Sequence, residues 1–186
     1  LFALLIGVPA AFVIVFFHFK GRSIIETLLY LPIIFPPYIV AMVYREMAHG
    51  RPGWVEAAFS SIPGCAAVFA LTLYPYVYML AKVAFHDQGL VYIETGKSLG
   101  LNRLERTTKI ILPMALPAIF LGAMLVFMET MSDYGTVSIM GIRTLTIGIY
   151  DVWFSMFNSQ MAIQLSVLML FLPLTLIVLY RQKYGD

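Results

Sequence analysis

Five apolar runs, each close to twenty residues long, decide most of what this chain can become. They cover 1–19, 27–44, 63–84, 113–131 and 161–180. An α-helix needs about 20 mostly apolar residues to cross the hydrocarbon core of a bilayer. Charged residues make up only 12% of the chain, about half of what soluble domains carry. The expectation is an all-α integral membrane protein with about five transmembrane helices, not a soluble domain with a large core. The run at 1–19 lacks the basic leader and small-residue cleavage pattern of a signal peptide.

Basic residues set the orientation, because cytoplasmic loops collect Lys and Arg. Lys20 and Arg22 follow the first run. Lys82, Lys97, Arg103, Arg106 and Lys109 lie between the third and fourth, and Arg181 and Lys183 follow the fifth. If the runs alternate, these nine share one side, against Arg45, Arg51 and Arg143 on the other. The richer side is expected in the cytoplasm, with Leu1 outside and Asp186 inside.

The stretch 85–113 falls on that side and is a polar island between oily neighbours. Its chemistry predicts two short helices meeting at a corner. The first covers about 90–99. Gly100 then takes the left-handed position past a helix end, which Gly enters without steric cost. Asn102 and Glu105 have the spacing of a capping box for the second helix. Pro113 suits the first turn of the apolar helix that follows, where a missing N–H costs nothing.

Glu94, Gly100, Ile110, Leu112 and Pro113 are also spaced as in the EAA loop of permeases of binding-protein-dependent ABC importers. That pattern is E-A-A, three residues, G, nine residues, then I-x-L-P. The chain resembles this family at those five positions and departs at the two alanines, which are Thr95 and Gly96 here. Gly96 keeps a small side chain but weakens a helix relative to Ala. The string from Asp133 to Gly141 and that from Thr144 to Met156 look like the matching segment of ferric-iron-type permeases. Phosphonate, thiamine, sulfate and polyamine permeases have comparable stretches.

The resemblance implies a MetI-like permease core of five helices, here a single transmembrane domain over 1–186, with a cytoplasmic coupling-helix loop at 85–113. The chain starts inside an apolar run without Met, so a fragment or one half of a larger permease is expected. Implied partners are a cytoplasmic ABC ATPase dimer, a second permease half, a periplasmic substrate-binding protein and membrane lipid, with no nucleic acid. The chain would be a multi-pass inner-membrane subunit and not an enzyme, with ATP and Mg bound by the partner ATPase and no cofactor of its own. The coupling loop would comprise Glu94, Gly96, Gly100, Leu101, Arg103, Arg106, Ile110, Leu112 and Pro113. Within it, Arg103 and Arg106 would meet the ATPase surface, and Leu99, Leu101 and Leu104 would fill an apolar cleft.

Other stretches carry weaker signals. Pro32, Pro36 and Pro37 interrupt the second run. Either they form a pore-lining bend, tolerated where protein or water covers the freed carbonyls, or the helix starts late, near Pro36. Pro75 and Pro117 are expected to bend their helices. The stretch 45–61 reads as an outer loop with Trp54 at the interface. Glu129, Asp133 and Tyr134 end the fourth run. They face a translocation path, together with Pro36 and Pro37, or the two acids sit at the outer interface, hydrated or paired with Arg143. In 132–160, Tyr150, Trp153, Phe154 and Phe157 line an interfacial helix or a re-entrant gate segment.

Several chemistries are excluded. Gly96-Lys97-Ser98 is no phosphate loop, because Val91 stands where its first Gly belongs. Cys65 is alone, and His18, His49 and His86 are far apart, so no metal cluster is expected. Two rivals to an importer remain. One is an ion-coupled secondary transporter using Glu129 and Asp133. The other is a membrane scaffold that transports nothing. The loop spacing opposes both.

Overall fold

The computed structural model describes residues 1–98 and 100–184, with side chains except at 87–98 and 103. Every regular element among them is helical. In order these are α1 (Phe2–Phe16), α2 (Arg22–Tyr30), α3 (Pro37–Ala48), α4 (Gly53–Phe59), α5 (Ile62–Ser98), α6 (Arg103–Arg106), α7 (Leu112–Ser132), α8 (Gly135–Ile139), α9 (Leu145–Phe154) and α10 (Ser159–Tyr184). Among the described residues, three continuous helical stretches are long and apolar enough to cross a membrane: Ile62–His86, Leu104–Ser132 and Ser159–Tyr184. A broken pair, Arg22–Ile34 with Pro37–Ala48, raises the number to four if it counts as one span. The first expected span is represented by α1, whose 15 residues fall short of the length a span needs.

The break in the second run lies at Phe35. Leu31–Ile34 tightens into a 3₁₀ turn, Phe35 is extended at φ −92° and ψ 115°, and Pro37 opens α3. An extended residue before Pro36 is what the proline ring demands of its neighbour. Pro75 and Pro117, expected to bend their helices, lie inside α5 and α7, each of which runs on as one helix. The expected outer loop at 45–61 contains the end of α3 and all of α4.

The chain forms two compact units. The first comprises Leu1–Pro37 and Ala66–Val126. Its core is one stripe of α5, made of Tyr74, Val77, Tyr78, Ala81 and Phe85, at the three- and four-residue steps that keep side chains on one helix face. Ala3, Ala11 and Ile14 of α1 meet it, as do Ile111 and then Ala115 and Ile119 of α7. Gly7 and Gly122 complete those two rows. A Cβ added at Gly7 would lie 2.9 Å from the Tyr74 carbonyl oxygen and from Val77 Cβ; one at Gly122 would lie 2.9 Å from Val77 Cα. Small residues let helix backbones approach closely, the main source of packing energy where lipid removes the hydrophobic drive between helices. Phe12 and Phe16 both meet the Phe85 ring at 5.9 Å between centroids.

The second unit comprises Tyr38–Cys65 and the residues from Phe127 onward. Its buried residues include Ala41, Ala48, Thr136, Val137, Met140, Val152 and Ala162. Arg45 donates through Nη1 to the Ile139 carbonyl at 2.9 Å. The Thr146 hydroxyl donates to the Met131 carbonyl, tying α9 to the end of α7.

Candidate functional site

The polar island keeps its corner but not its first short helix. Helix α5 continues through Gly89 and Gly96 to Ser98, so the helix expected at 90–99 is not a separate element but the C-terminal continuation of the third span. No proline interrupts that stretch, and two glycines alone weaken a helix without ending it. Gly100 then turns the chain at φ +72°, a conformation that costs residues with a Cβ about 1–2 kcal/mol.

Beyond the corner the capping box closes in both directions. The Glu105 backbone N–H donates to Asn102 Oδ1 at 2.9 Å, and the Asn102 N–H donates to Glu105 Oε2 at 3.1 Å. Lys109 Nζ adds a contact of 3.1 Å to Glu105 Oε1. Two donors that every helix start leaves open are thereby satisfied. The carboxylate also sits at the end of the helix where negative charge is favoured.

Helix α6 does not stop before the next span. It passes into a π-helical turn at Thr107–Ile111 and from there directly into α7, the Leu112 N–H donating to the Thr107 carbonyl. Pro113, second in α7, has no N–H to give, and its ring crowds the carbonyl four residues back. A widened turn just before it relieves that conflict.

The coupling residues are placed unevenly. Leu104 is 73% exposed, which leaves a bare apolar side chain next to the corner. Leu101 and Ile110 are half-buried; Leu112 and Pro113 are exposed. Arg106 is half-buried, and among the described residues its Nη1 has no hydrogen-bond partner although it is buried. Leu99, the side chains of Glu94, Lys97 and Arg103, and the burial of Gly96 lie outside the described residues.

Of the path candidates, Pro36 is exposed and Pro37 half-buried at the helix break, and Glu129 is exposed. Asp133 does not pair with Arg143. Its Oδ1 accepts from the Thr136 N–H at 2.7 Å and the Val137 N–H at 3.4 Å, and its Oδ2 accepts from the Thr136 hydroxyl at 2.9 Å. It therefore anchors the start of α8. Tyr134 stacks on Tyr150 at 4.3 Å, and Tyr150 on Phe154 at 4.4 Å; Trp153 and Phe157 are exposed.

One polar cluster escapes the sequence. Lys82 Nζ pairs with Glu26 Oε1, donates to Tyr30 Oη at 3.1 Å and lies 5.5 Å from the centre of the Tyr30 ring. Its partners are 56 and 52 residues away, and no local spacing rule connects them.

These features define a multi-spanning membrane component with a built helical corner on its polar connection. Residues 3–185 match the family of binding-protein-dependent transport system inner membrane components, and the chain belongs to that family. It is 26% identical over 138 residues to the sulfate transport system permease protein CysT of Salmonella typhimurium, covering 70% of this chain and 50% of that protein. It is 26% identical over 144 residues to the molybdenum transport system permease protein ModB of Escherichia coli, covering 73% and 62%. It is 24% identical over 188 residues to the molybdate/tungstate transport system permease protein WtpB of Pyrococcus abyssi, covering 100% and 73%. The chain thus spans about half the length of the sulfate relative. None of these three is named for iron, and the ferric-iron expectation finds no support in them.

Proposed function

We propose that this chain is the membrane-spanning part of an ATP-driven importer for a tetrahedral oxyanion of the sulfate, molybdate or tungstate kind. The solute would be delivered by a binding protein outside. The corner at Gly100 carries the reading. A left-handed turn, a capping box closed in both directions and an exposed Leu104 make a short rigid projection continuous with the α7 span. Such a projection suits a cleft on a partner ATPase better than a solvated loop, which needs neither fixed geometry nor a bare leucine.

In this reading ATP binding closes the ATPase dimer, and the corner hands that movement to α5 and α7, which it joins. The polar connection lies in the cytoplasm, and a second permease half completes the path. The family and the relatives' names support the importer class and the oxyanion. An ion relay through Glu129 and Asp133 is disfavoured, because the Asp133 carboxylate is occupied in holding α8.

The test is ATP-driven uptake of radioactive molybdate or sulfate by proteoliposomes holding the complete transporter. Wild type should accumulate one of these anions. Gly100→Val should hydrolyse ATP while uptake falls about tenfold, the size of a typical coupling energy between sites. Uptake that follows an ion gradient without ATP overturns the importer reading. Normal uptake by Gly100→Val overturns the role of the corner.

A further inference from the structure

We propose that Lys82 is a positioning residue that makes α2 follow α5 whenever the corner at Gly100 is displaced. The inference rests on the importer reading.

Helix α5 has 37 residues, about 55 Å at the α-helical rise. That is well beyond the hydrocarbon core of about 30 Å. Lys82 comes about 30 Å along it from Ile62, at the far edge of the apolar stretch that ends at His86. The remaining helix, about 24 Å from Lys82 to Ser98, is a lever that ends at the corner.

Three neighbours grip α5 near that edge by two kinds of contact. Helices α1 and α7 are fixed by shape: Gly7 and Gly122 press on Val77, and Phe12 and Phe16 on Phe85. The close approaches at Gly7 and Gly122 resist sliding, because they leave no room for a displaced side chain against Val77. Helix α2 is held differently. Glu26 and Tyr30, one turn apart, both take hydrogen bonds from Lys82, and Tyr30 meets the Tyr78 ring edge-on at 5.2 Å. None of the residues of α2 is buried. Leu29 and Tyr30 pack half-buried on the core, and the Lys82 ammonium with its two acceptors adds a polar hold of α2 on α5.

About three-quarters of each charged side chain is enclosed, 24% of Lys82 and 27% of Glu26 remaining exposed. Removing one partner leaves a poorly hydrated charge beside lipid, so the pair stays closed as the lever moves. Helix α2 leads directly to the 3₁₀ turn and the break at Phe35. The Lys82 contact thus converts lever motion into motion at that break.

The experiment uses the complete transporter in proteoliposomes with radioactive molybdate or sulfate as probe, reading anion taken up per ATP hydrolysed. Wild type without ATP-driven uptake of either anion would sink the importer reading whatever Lys82 does. With wild type active, Lys82→Met and Glu26→Gln should assemble and hydrolyse ATP, yet lose about tenfold in uptake per ATP. Lys82→Arg should recover most of it, as should the exchange Glu26→Lys with Lys82→Glu. If Lys82→Met fails to assemble, Glu26→Gln decides on the same readout, because it keeps the shape of the side chain. Uptake per ATP unchanged in Glu26→Gln overturns the proposal. So does Lys82→Arg that assembles but couples no better than Lys82→Met.

Discussion

Helices α5 and α10 are both long and apolar, and they meet opposite fates. In the apolar stretch of α5, 61% of the residues are buried within the chain; in α10 the share is 11%, although α10 is the more apolar of the two. In water the order would be reversed, since burial follows hydrophobicity. In lipid a leucine gains nothing by leaving the tails for another leucine, so burial follows fit. Helix α5 is met by the rows containing Gly7 and Gly122 and by the Phe12–Phe16–Phe85 cluster. On α10, Leu168, Leu170, Phe171 and Leu172 are each between 47% and 60% exposed. A helix apolar on every side is made to sit in lipid or against another membrane subunit.

Substitutions at four positions would break or sharpen this contrast. Phe85→Ala empties the centre of an aromatic cluster at a side chain only 1% exposed, and should cost about 3 kcal/mol or more, seen as a large loss of thermal stability in detergent. Leu170→Lys places a charge in the middle of α10 and should cost nearly as much, about 2.5–3.5 kcal/mol in a membrane-insertion assay. A negligible cost there would mean that α10 lines water. Gly122→Val forces a side chain against the α5 backbone and should lower stability by about 2 kcal/mol, with Gly122→Ala milder in the same melting experiment. Leu168→Ala should be almost silent, within about 0.5 kcal/mol. A clear loss in the assembled transporter, absent from the isolated chain, would show that a partner covers α10.

What could be foreseen from the residues was local. Gly100, Asn102 and Glu105 announce the corner because the chemistry of a helix end acts over three or four positions. The apolar runs announce the long helices for the same reason, and the broken second run follows from Pro36 and Pro37. The uninterrupted α5 was harder, because polarity at 85–98 reads as a loop although nothing there stops a helix. Asp133 had a readable signal in Thr136, three residues on, the spacing of a helix cap; its place at the end of an apolar run drew attention to charge instead. Lys82 with Glu26 and Tyr30 depends on two helices meeting, and no spacing along the chain encodes it. The Gly7 and Gly122 rows repeat at helical steps and are visible as small residues, but their common target at Val77 is not.

The π turn at Thr107–Ile111 bears on how the segment is aligned with its relatives. An α-helix advances 3.6 residues per turn, about 100° for each residue, and a π turn holds one residue more than its α counterpart. Side chains before and after it are therefore out of phase by about 100°. A helical wheel drawn straight through from Leu104 to Ser132 would put Leu104 on the wrong flank. A one-residue gap placed here in an alignment is consequently absorbed by the turn and leaves the flanking side chains in phase. Deleting one residue here would leave a regular helix with the Gly100 corner aimed much as before, whereas a deletion elsewhere in α7 would turn the corner by about 100°.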